Sequence, residues 1–431
     1  MKICLLCYRG NKYCGGQGVY LYYLSREFQR MGHEVDVMVG PPYPDIGDGI
    51  EVHRLESLNL YDRKDEGESF LSRENPLRVL TPFNLYELAG TKLGMFPEMV
   101  TFSIRAYLKV RELLPNHRFD IIHDNQDLAY GLLLMKTLKV PVVATIHHPL
   151  HIDTEAELAQ EPSDWEKIKR ILFYPPVMQG FVARRLDRVI TDSKSSAREV
   201  NRTFKVPESK MRIVYPGVDT SVFKRLDGYK KESGHLIMVG RTDDRKKGIL
   251  YLLQALLLLK KDDINIKLTI VDRVNPKKSF ALDLIRDYKL DGMVTFTGRV
   301  TTEELVREYS AAQIAITPSL YEGFGLPAAE AMACEAPVIA TKGGALPEVV
   351  KEGETGILVP PQDPSALARA IKRLLEDEPL RRRMGGEGRR RVEKCFTWEQ
   401  TAKQIIDVYE EVLHLSLRPR FIGGSNLTGR E

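Results

Sequence analysis

Three features of the 431-residue chain predict an α/β protein made of two doubly wound, parallel-sheet domains. Short apolar runs alternate with longer helical patterns from end to end, the way strand–helix–strand units are written. The length exceeds what one hydrophobic core supports, so two domains are expected. The alternation is broken once, by Pro216-Gly217 and the polar stretch 224–234, which sets a boundary near 205–235.

In the first half, strands are expected at 3–7, 35–39, 120–123, 142–145, 188–191 and 213–215, with helical patterns at 19–31, 101–114 and 128–138 among them. In the second half, strands at 236–239, 268–271, 294–297, 314–317, 338–341 and 357–359 alternate with helices that begin after Gly248, Thr302, Leu326, Leu346 and Asp363. A last helix over 397–417 follows, and the polar, glycine-containing stretch 418–431 reads as a disordered tail.

Composition narrows the function. Hydrophobic content of 43% and charged content of 28% are those of a soluble globular protein. A net charge of +4 is too small at this size to point to nucleic acid. Cys4, Cys7, Cys14, Cys334 and Cys395 form an odd set with no disulfide framework, which fits a reducing cytoplasm. Cys4 and Cys7 have C-x-x-C spacing, but inside an apolar strand, so they read as small hydrophobes rather than a redox pair. The opening apolar run is too short for a secretion signal, and the longest, 249–259, is far below spanning length. A soluble cytoplasmic protein is expected, with peripheral membrane contact at most. Lys167, Lys169 and Arg170 beside 171–174 could form a membrane-surface patch; the plainer reading is a helix with one wet face.

The segment 318–332 carries the most chemistry. The strand at 314–317 leads into a loop with Glu322, Gly323, Phe324 and Gly325, then a helix opened by Leu326-Pro327 and carrying Glu330. Proline suits a first turn because its missing N–H would have had no partner there. The free amides of that turn and the helix dipole favour an anion, and the glycines let backbone approach it closely. Glu330, about one turn in, reaches hydroxyls beside the anion. An anion next to hydroxyls describes a nucleotide diphosphate and its sugars.

Glu322 and Glu330 have seven residues between them, matching the E-x7-E pattern of retaining glycosyltransferases. Together with Ser-Leu-Tyr-Glu-Gly-Phe-Gly-Leu-Pro at 319–327, Ala-Met-Ala-Cys at 331–334, Pro-Val-Ile-Ala-Thr at 337–341 and Gly-Gly-Ala-Leu-Pro-Glu-Val-Val at 343–350, it resembles family 4 of that class, which has the GT-B fold. The resemblance implies two Rossmann-like domains facing across a cleft: residues 1–210 on the acceptor side, 211–396 binding the nucleotide sugar, and the helix 397–417 crossing back to the first. It also implies that Glu330 holds the donor ribose, that Glu322 supports the transferred sugar, and that the amides of Phe324 and Gly325 take sugar hydroxyls or phosphate.

Other segments fall into the same pattern. Gly240-Arg241 ends a strand and Arg245-Lys246-Lys247-Gly248 opens the next helix, which resembles the family's Gly-Arg and Lys-Gly clamp on the donor diphosphate. Fixed cations there stabilise charge gathering on the leaving group. The spacer is one residue longer than usual, so Lys246 competes with Lys247 for the role, and a solvated basic turn is the plain alternative. The 294–299 segment, with Gly298, resembles the part that holds the nucleotide base, although it could be plain core. Cys14-Gly15-Gly16-Gln17-Gly18 fails as a dinucleotide fingerprint on spacing; in the family, the first glycine-rich loop approaches donor phosphate and acceptor. For Gly15 a tight turn serves equally well.

Histidine is concentrated at 123–151, with four of the nine in the chain. His147 follows a strand end, where crevices of open α/β sheets lie, and by resemblance lies beside the transferred sugar. A neutral imidazole there can bond a hydroxyl and help screen an oxocarbenium-like centre. His148, His123 and Asn125 are acceptor-side candidates. His147, His148, His151 and Asp153 could instead hold a metal, but Pro149 argues against a regular helix presenting them. No strand-flanked D-x-D motif occurs, so no cofactor beyond the donor and no essential metal are expected. The irregular, aromatic region 60–100 is expected to shape the acceptor site. The function read from all this is transfer of a sugar from a UDP- or GDP-linked donor to a hydroxyl of a glycan, lipid or small metabolite. The alternative is a nucleotide-sugar epimerase or hydrolase on the same fold, which would lack the Gly-Phe-Gly-Leu-Pro loop between the paired glutamates.

Overall fold

The computed structural model describes residues 1–11, 15–60, 81–93, 96–147, 176–272 and 279–417. Cys14, His148, His151, Asp153, the 167–174 patch, residues 61–80 of the aromatic region 60–100 and the tail 418–431 lie outside them. Seven strands form the first sheet: β1 (Lys2–Cys7), β2 (Glu34–Val39), β3 (Glu51–Arg54), β4 (Ile121–Asn125), β5 (Val142–Ile146), β6 (Arg188–Thr191) and β7 (Met211–Ile213). Their spatial order is β3-β2-β1-β4-β5-β6-β7, with parallel pairing throughout. The second sheet holds β8 (His235–Val239), β9 (Lys267–Val271), β10 (Val294–Phe296), β11 (Ile314–Thr317), β12 (Val338–Thr341) and β13 (Gly356–Val359), ordered β10-β9-β8-β11-β12-β13 and also parallel. This is the GT-B architecture. Parallel strands covered by helices on both faces are largely apolar, as β1, β5, β11 and β12 are; β4 is buried too, but ends in His123-Asp124-Asn125.

The faces of β1 show how the core divides. Cys4 and Leu6 join the cluster with Phe102, Ile122 and Val142. Ile3, Leu5 and Cys7 point the other way, toward Leu21, Phe28, Ile405 and Tyr409. Cys4 and Cys7 therefore lie on opposite sheet faces, both buried, and do not form a dithiol pair. The last helix, Trp398–Leu417, lays Ala402, Ile405, Tyr409 and Val412 on the first sheet's helix layer. Its Glu411 accepts from Arg188 at 2.8 Å and from Arg212 Nε at 2.9 Å.

The chain leaving the first half and the chain returning to it run side by side. Val218 N–H donates to Phe396 O at 2.8 Å, and Thr401 Oγ1 donates to Tyr215 O at 2.8 Å. A methyl on Gly217 would sit 2.2 Å from Trp398 N, so only glycine permits this approach. The expected strand at 213–215 is thus displaced to Met211–Ile213, because Tyr215 turns away to the crossing point. Glu-Val-His-Arg at 51–54 forms β3, an edge strand without an apolar run.

Candidate active site

The loop after β11 is held in shape from below. Gly343 and Gly344 run beneath it: a methyl on Gly343 would meet Ser319 O and Leu320 O at 2.6 Å, and one on Gly344 would meet Glu322 O at 2.2 Å. Ala345 N–H donates to Glu322 O at 2.9 Å. Thr341 Oγ1 donates to Ser319 O. Glu322 Oε1, so positioned, accepts from Ser319 Oγ at 2.7 Å and from Lys247 Nζ at 2.7 Å. Burial opposes ionisation of Glu322, but the Lys247 charge and bond, the Ser319 hydroxyl and Lys246 outweigh it, so its carboxyl lies below the ordinary range.

Gly325 closes the loop with φ 101°, a conformation that favours glycine. It caps the helix Leu326–Ala333, which has proline in its first turn and no side-chain cap. Phe324 turns inward against Phe396 and Tyr215, with ring centroids 5.3 and 6.2 Å away. Glu330 is half-buried. Burial pushes its carboxyl up to about 7, while a 3.4 Å bond from the Tyr309 hydroxyl pulls the other way.

Gly248 has φ 73°, and a methyl on it would lie 2.0 Å from Pro318 O. That contact seats the Arg245–Lys247 turn on the same loop; Leu320 N–H donates to Lys246 O at 2.7 Å. Lys247 therefore faces Glu322, whereas Lys246 Nζ lies 3.8 Å from Asp244. Gly240, at φ 147°, passes 3.7 Å below Lys247 Cδ, measured from where its Cβ would be. Arg241 is not brought to this cluster. It is 63% exposed and its guanidinium forks onto Asp243, two residues on, at 3.0 and 2.7 Å. Gly298 turns with φ 76° and open space around it.

On the first half, His147 stands at the end of β5 between two acceptors. Nδ1 lies 2.6 Å from Asp192 Oδ2 and Nε2 lies 2.7 Å from Asn125 Oδ1. The Asn125 amide is oriented by its NH2, which donates to Gln17 O at 2.9 Å and to Cys7 Sγ at 3.4 Å. The ring is thus fixed in orientation between the Asp192 carboxylate and the Asn125 amide oxygen. Both nitrogens are engaged by protein, so the expected imidazole bond to a sugar hydroxyl is not available in this state. The ring also packs edge-on against Tyr20, 4.9 Å between centroids.

His123, expected on the acceptor side, is a core residue instead. It is 1% exposed, with Nδ1 2.5 Å from the Tyr409 hydroxyl and Nε2 2.7 Å from Thr145 Oγ1. Burial, with His147 adding to it, lowers its pKa to about 3. Its position on β4 directs it into the layer covered by the last helix. Gly15, at φ 113°, caps the helix Gly16–Arg30, and neither glycine has an atom within 4 Å of its Cβ position. Among the described residues, one group of carboxylate and imidazole atoms is close enough to share an ion: Asp36, Glu51 and His53, on β2 and β3. It lies away from this cluster, with Lys2 Nζ 3.8 Å from Asp36.

The two halves meet at these loops. Ser193 Oγ donates to Gly323 O at 2.7 Å, and Ser196 Oγ lies 3.0 Å from His147 O and 3.2 Å from Gly323 O. A methyl on Gly323 would come 2.5 Å from His147 O. Glu348 accepts from Lys194 N–H at 2.9 Å and Ser195 N–H at 2.8 Å, at the start of the helix Lys194–Phe204, and from the Tyr215 hydroxyl at 2.9 Å. A carboxylate at a helix N-terminus is favourable in both hydrogen bonding and dipole. Sequence reasoning missed Asp192, Ser193, Ser196 and Glu348. The first two directly follow β6, so the strand-end rule that found His147 would have found them too.

The comparisons with known proteins bear on family and fold. The family described as "Glycosyltransferase Family 4" matches residues 14–222, and "Glycosyl transferases group 1" matches residues 223–391. The chain is 37% identical, over 96% of its length and 98% of the relative's, to an MMP alpha-(1->4)-mannosyltransferase of Mycolicibacterium hassiacum. It is 27% identical, over 93% of its length and 86% of the relative's, to a D-inositol 3-phosphate glycosyltransferase of a Nocardioides species. Sucrose-phosphate synthase from Thermosynechococcus elongatus superposes with a TM-score of 0.71 at 25% identity, covering 96% of this chain and 99% of that one. No helix among the described residues is long and apolar enough to cross a membrane. The chain belongs to the family 4-type glycosyltransferases of the GT-B fold.

Proposed function

We propose that the protein is a retaining, metal-independent hexosyltransferase that moves mannose or a related hexose from a UDP- or GDP-linked donor onto a hydroxyl of a glycan. The observation that carries this reading is the Lys247–Glu322 pair, 2.7 Å apart, beside a helix start with no side-chain cap. A donor diphosphate entering there replaces Glu322 as the partner of Lys247, and meets amide N–H groups at the favourable end of a helix dipole. Negative charge then gathers on the leaving phosphate where a cation and dipoles already point. Glu330 takes the ribose hydroxyls. Arg241 swings from Asp243 onto the diphosphate once a stronger anion is present.

The acceptor hydroxyl attacks on the face the phosphate leaves, and the phosphate receives its proton, which preserves the anomeric configuration. Across the cleft His147 acts through its position, held by Asp192 and Asn125, close to where positive charge develops on the sugar. The mannose assignment leans on the relative at 37% identity. The Lys247 cation at the phosphates is the reason for expecting no metal requirement. The test is incubation with UDP-glucose and GDP-mannose in the presence of EDTA, with NMR of the released or transferred sugar. Product of retained configuration supports the reading. Inverted product, or transfer only when divalent ions are restored, overturns it.

A further inference from the structure

We infer that Ser193 and Ser196, on the first half, are positioning residues for the transfer reaction: together they set the Gly323–Phe324 peptide of the donor loop on the second half. This rests on the reading of that loop as the donor site, and adds how the opposite half completes it.

Gly323 O accepts from Ser193 Oγ at 2.7 Å and from Ser196 Oγ at 3.2 Å. A trans peptide is planar, with its C=O and N–H pointing in opposite directions. Tying Gly323 O to the first half therefore turns the Phe324 N–H back toward the second, the half that holds Lys247 and the helix Leu326–Ala333. Glycine at 323 would let this peptide rotate if nothing held its carbonyl. Once fixed, the N–H can meet charge on the sugar or leaving phosphate without reorganising.

The grip runs through four consecutive residues. Ser193 Oγ accepts the Ser196 N–H at 2.9 Å, which caps the helix Lys194–Phe204, so its single proton is committed to Gly323 O. Ser196 Oγ also lies 3.0 Å from His147 O, and one hydroxyl thus links the strand end that carries His147 to the donor loop. Between the serines, Lys194 N–H and Ser195 N–H donate to Glu348 of the second half. Both serines are fully buried. A hydroxyl–carbonyl bond replaces hydration of both groups and gains little net, so these bonds can form and part as the donor enters and leaves. The peptide is thereby fixed only while the two halves are together.

The experiment separates positioning from simple adhesion between the halves. With whichever nucleotide sugar turns over, kcat, donor KM and the Kd of UDP or GDP are measured for the wild type, Ser193→Gly, Ser193→Thr, Ser196→Ala and the double variant Ser193→Gly/Ser196→Ala. Glycine caps a helix nearly as well as serine and alanine is favoured within one, and urea unfolding verifies that each variant folds. Threonine keeps the hydroxyl and suits the extended backbone at 193, φ −163° and ψ 164°. In Ser193→Gly kcat is expected to fall at least about tenfold, and further in the double variant, while the nucleotide Kd stays within about twofold because the second half alone holds the nucleotide. Ser193→Thr is expected to recover most of the lost kcat. An unchanged kcat in the double variant, a Ser193→Thr as slow as Ser193→Gly, or kcat and nucleotide Kd worsening in step overturns the positioning role and leaves the donor site standing. No transfer by the wild type from any nucleotide sugar overturns both this role and the functional reading beneath it.

Discussion

Replacing Glu330 with glutamine separates what this carboxylate costs the empty protein from what it does for a bound nucleotide. Burial raises its pKa from 4.5 to about 7, against the Tyr309 hydroxyl bond. A carboxyl with a folded pKa above its unfolded one holds its proton more tightly when folded. Its destabilising effect is absent below the unfolded value, grows as pH rises from about 4.5 to about 7, and is complete above that. At 1.36 kcal/mol per unit, the interval corresponds to roughly 3 kcal/mol. Glutamine keeps the shape, can accept the Tyr309 bond and carries no charge. In urea unfolding without nucleotide, Glu330→Gln is therefore expected to exceed the wild type by roughly 3 kcal/mol at pH 8 and by less than about 1 kcal/mol at pH 5. Nucleotide reverses the comparison: ribose hydroxyls donating to the carboxylate stabilise the wild type in proportion to occupancy, and the variant much less. Equal stability of the two proteins at pH 8 would refute the burial argument. Equal stabilisation by UDP or GDP would refute the ribose assignment.

Three further outcomes follow from the same geometry. Lys247→Met removes the cation from Glu322, and transfer is expected to fall at least about a hundredfold. Because Glu322 is held below its ordinary value, the stability it contributes is present above pH 4.5 and is lost on acidification. The melting-temperature gap between Lys247→Met and the wild type therefore closes as the pH is lowered beneath 4.5. Gly344→Ala sets a methyl 2.2 Å from Glu322 O, and a loss of at least about 2 kcal/mol in chemical unfolding, together with lost activity, is expected; an unchanged midpoint would contradict the packing described. Asp192→Asn keeps an acceptor for His147 but replaces the carboxylate with an amide. A drop in kcat of about tenfold to a hundredfold with little change in donor KM is expected in steady-state assays.

The donor side was legible because its parts are contiguous. Strand, glycine loop, proline and Glu330 follow one another between residues 314 and 330, and each residue type states its own backbone requirement. The first half was less so: Asp192 and Ser193 stand at a strand end that the same rule covers, but what Ser193 and Glu348 hold together shows only where two distant loops meet. His123 misled because a strand end gives no sign of which sheet face a helix far along the chain will cover. Arg241 was grouped with Lys247 by spacing, yet Asp243 lies close enough to capture it locally. The helix Glu378–Cys395 left no apolar pattern. Its seam against the helix Leu326–Ala333 is made by glycine, with Gly385 against Glu335 O and Gly388 against Met332. β3 failed for the matching reason: an edge strand needs no hydrophobic run.

The side-by-side passage of residues 215–218 and 396–401 makes the second half an insertion within the first. Ile3, Leu5 and Phe28 receive their final cover only when residues 398–417 emerge from the ribosome. The nascent N-terminal half must therefore wait, partly bare, through synthesis of the whole C-terminal half, although domains ordinarily close in order of translation. A chain that stalls or is cut before the last helix would leave that bare face for chaperones or aggregation, even with every residue of the sugar-transfer cleft already made.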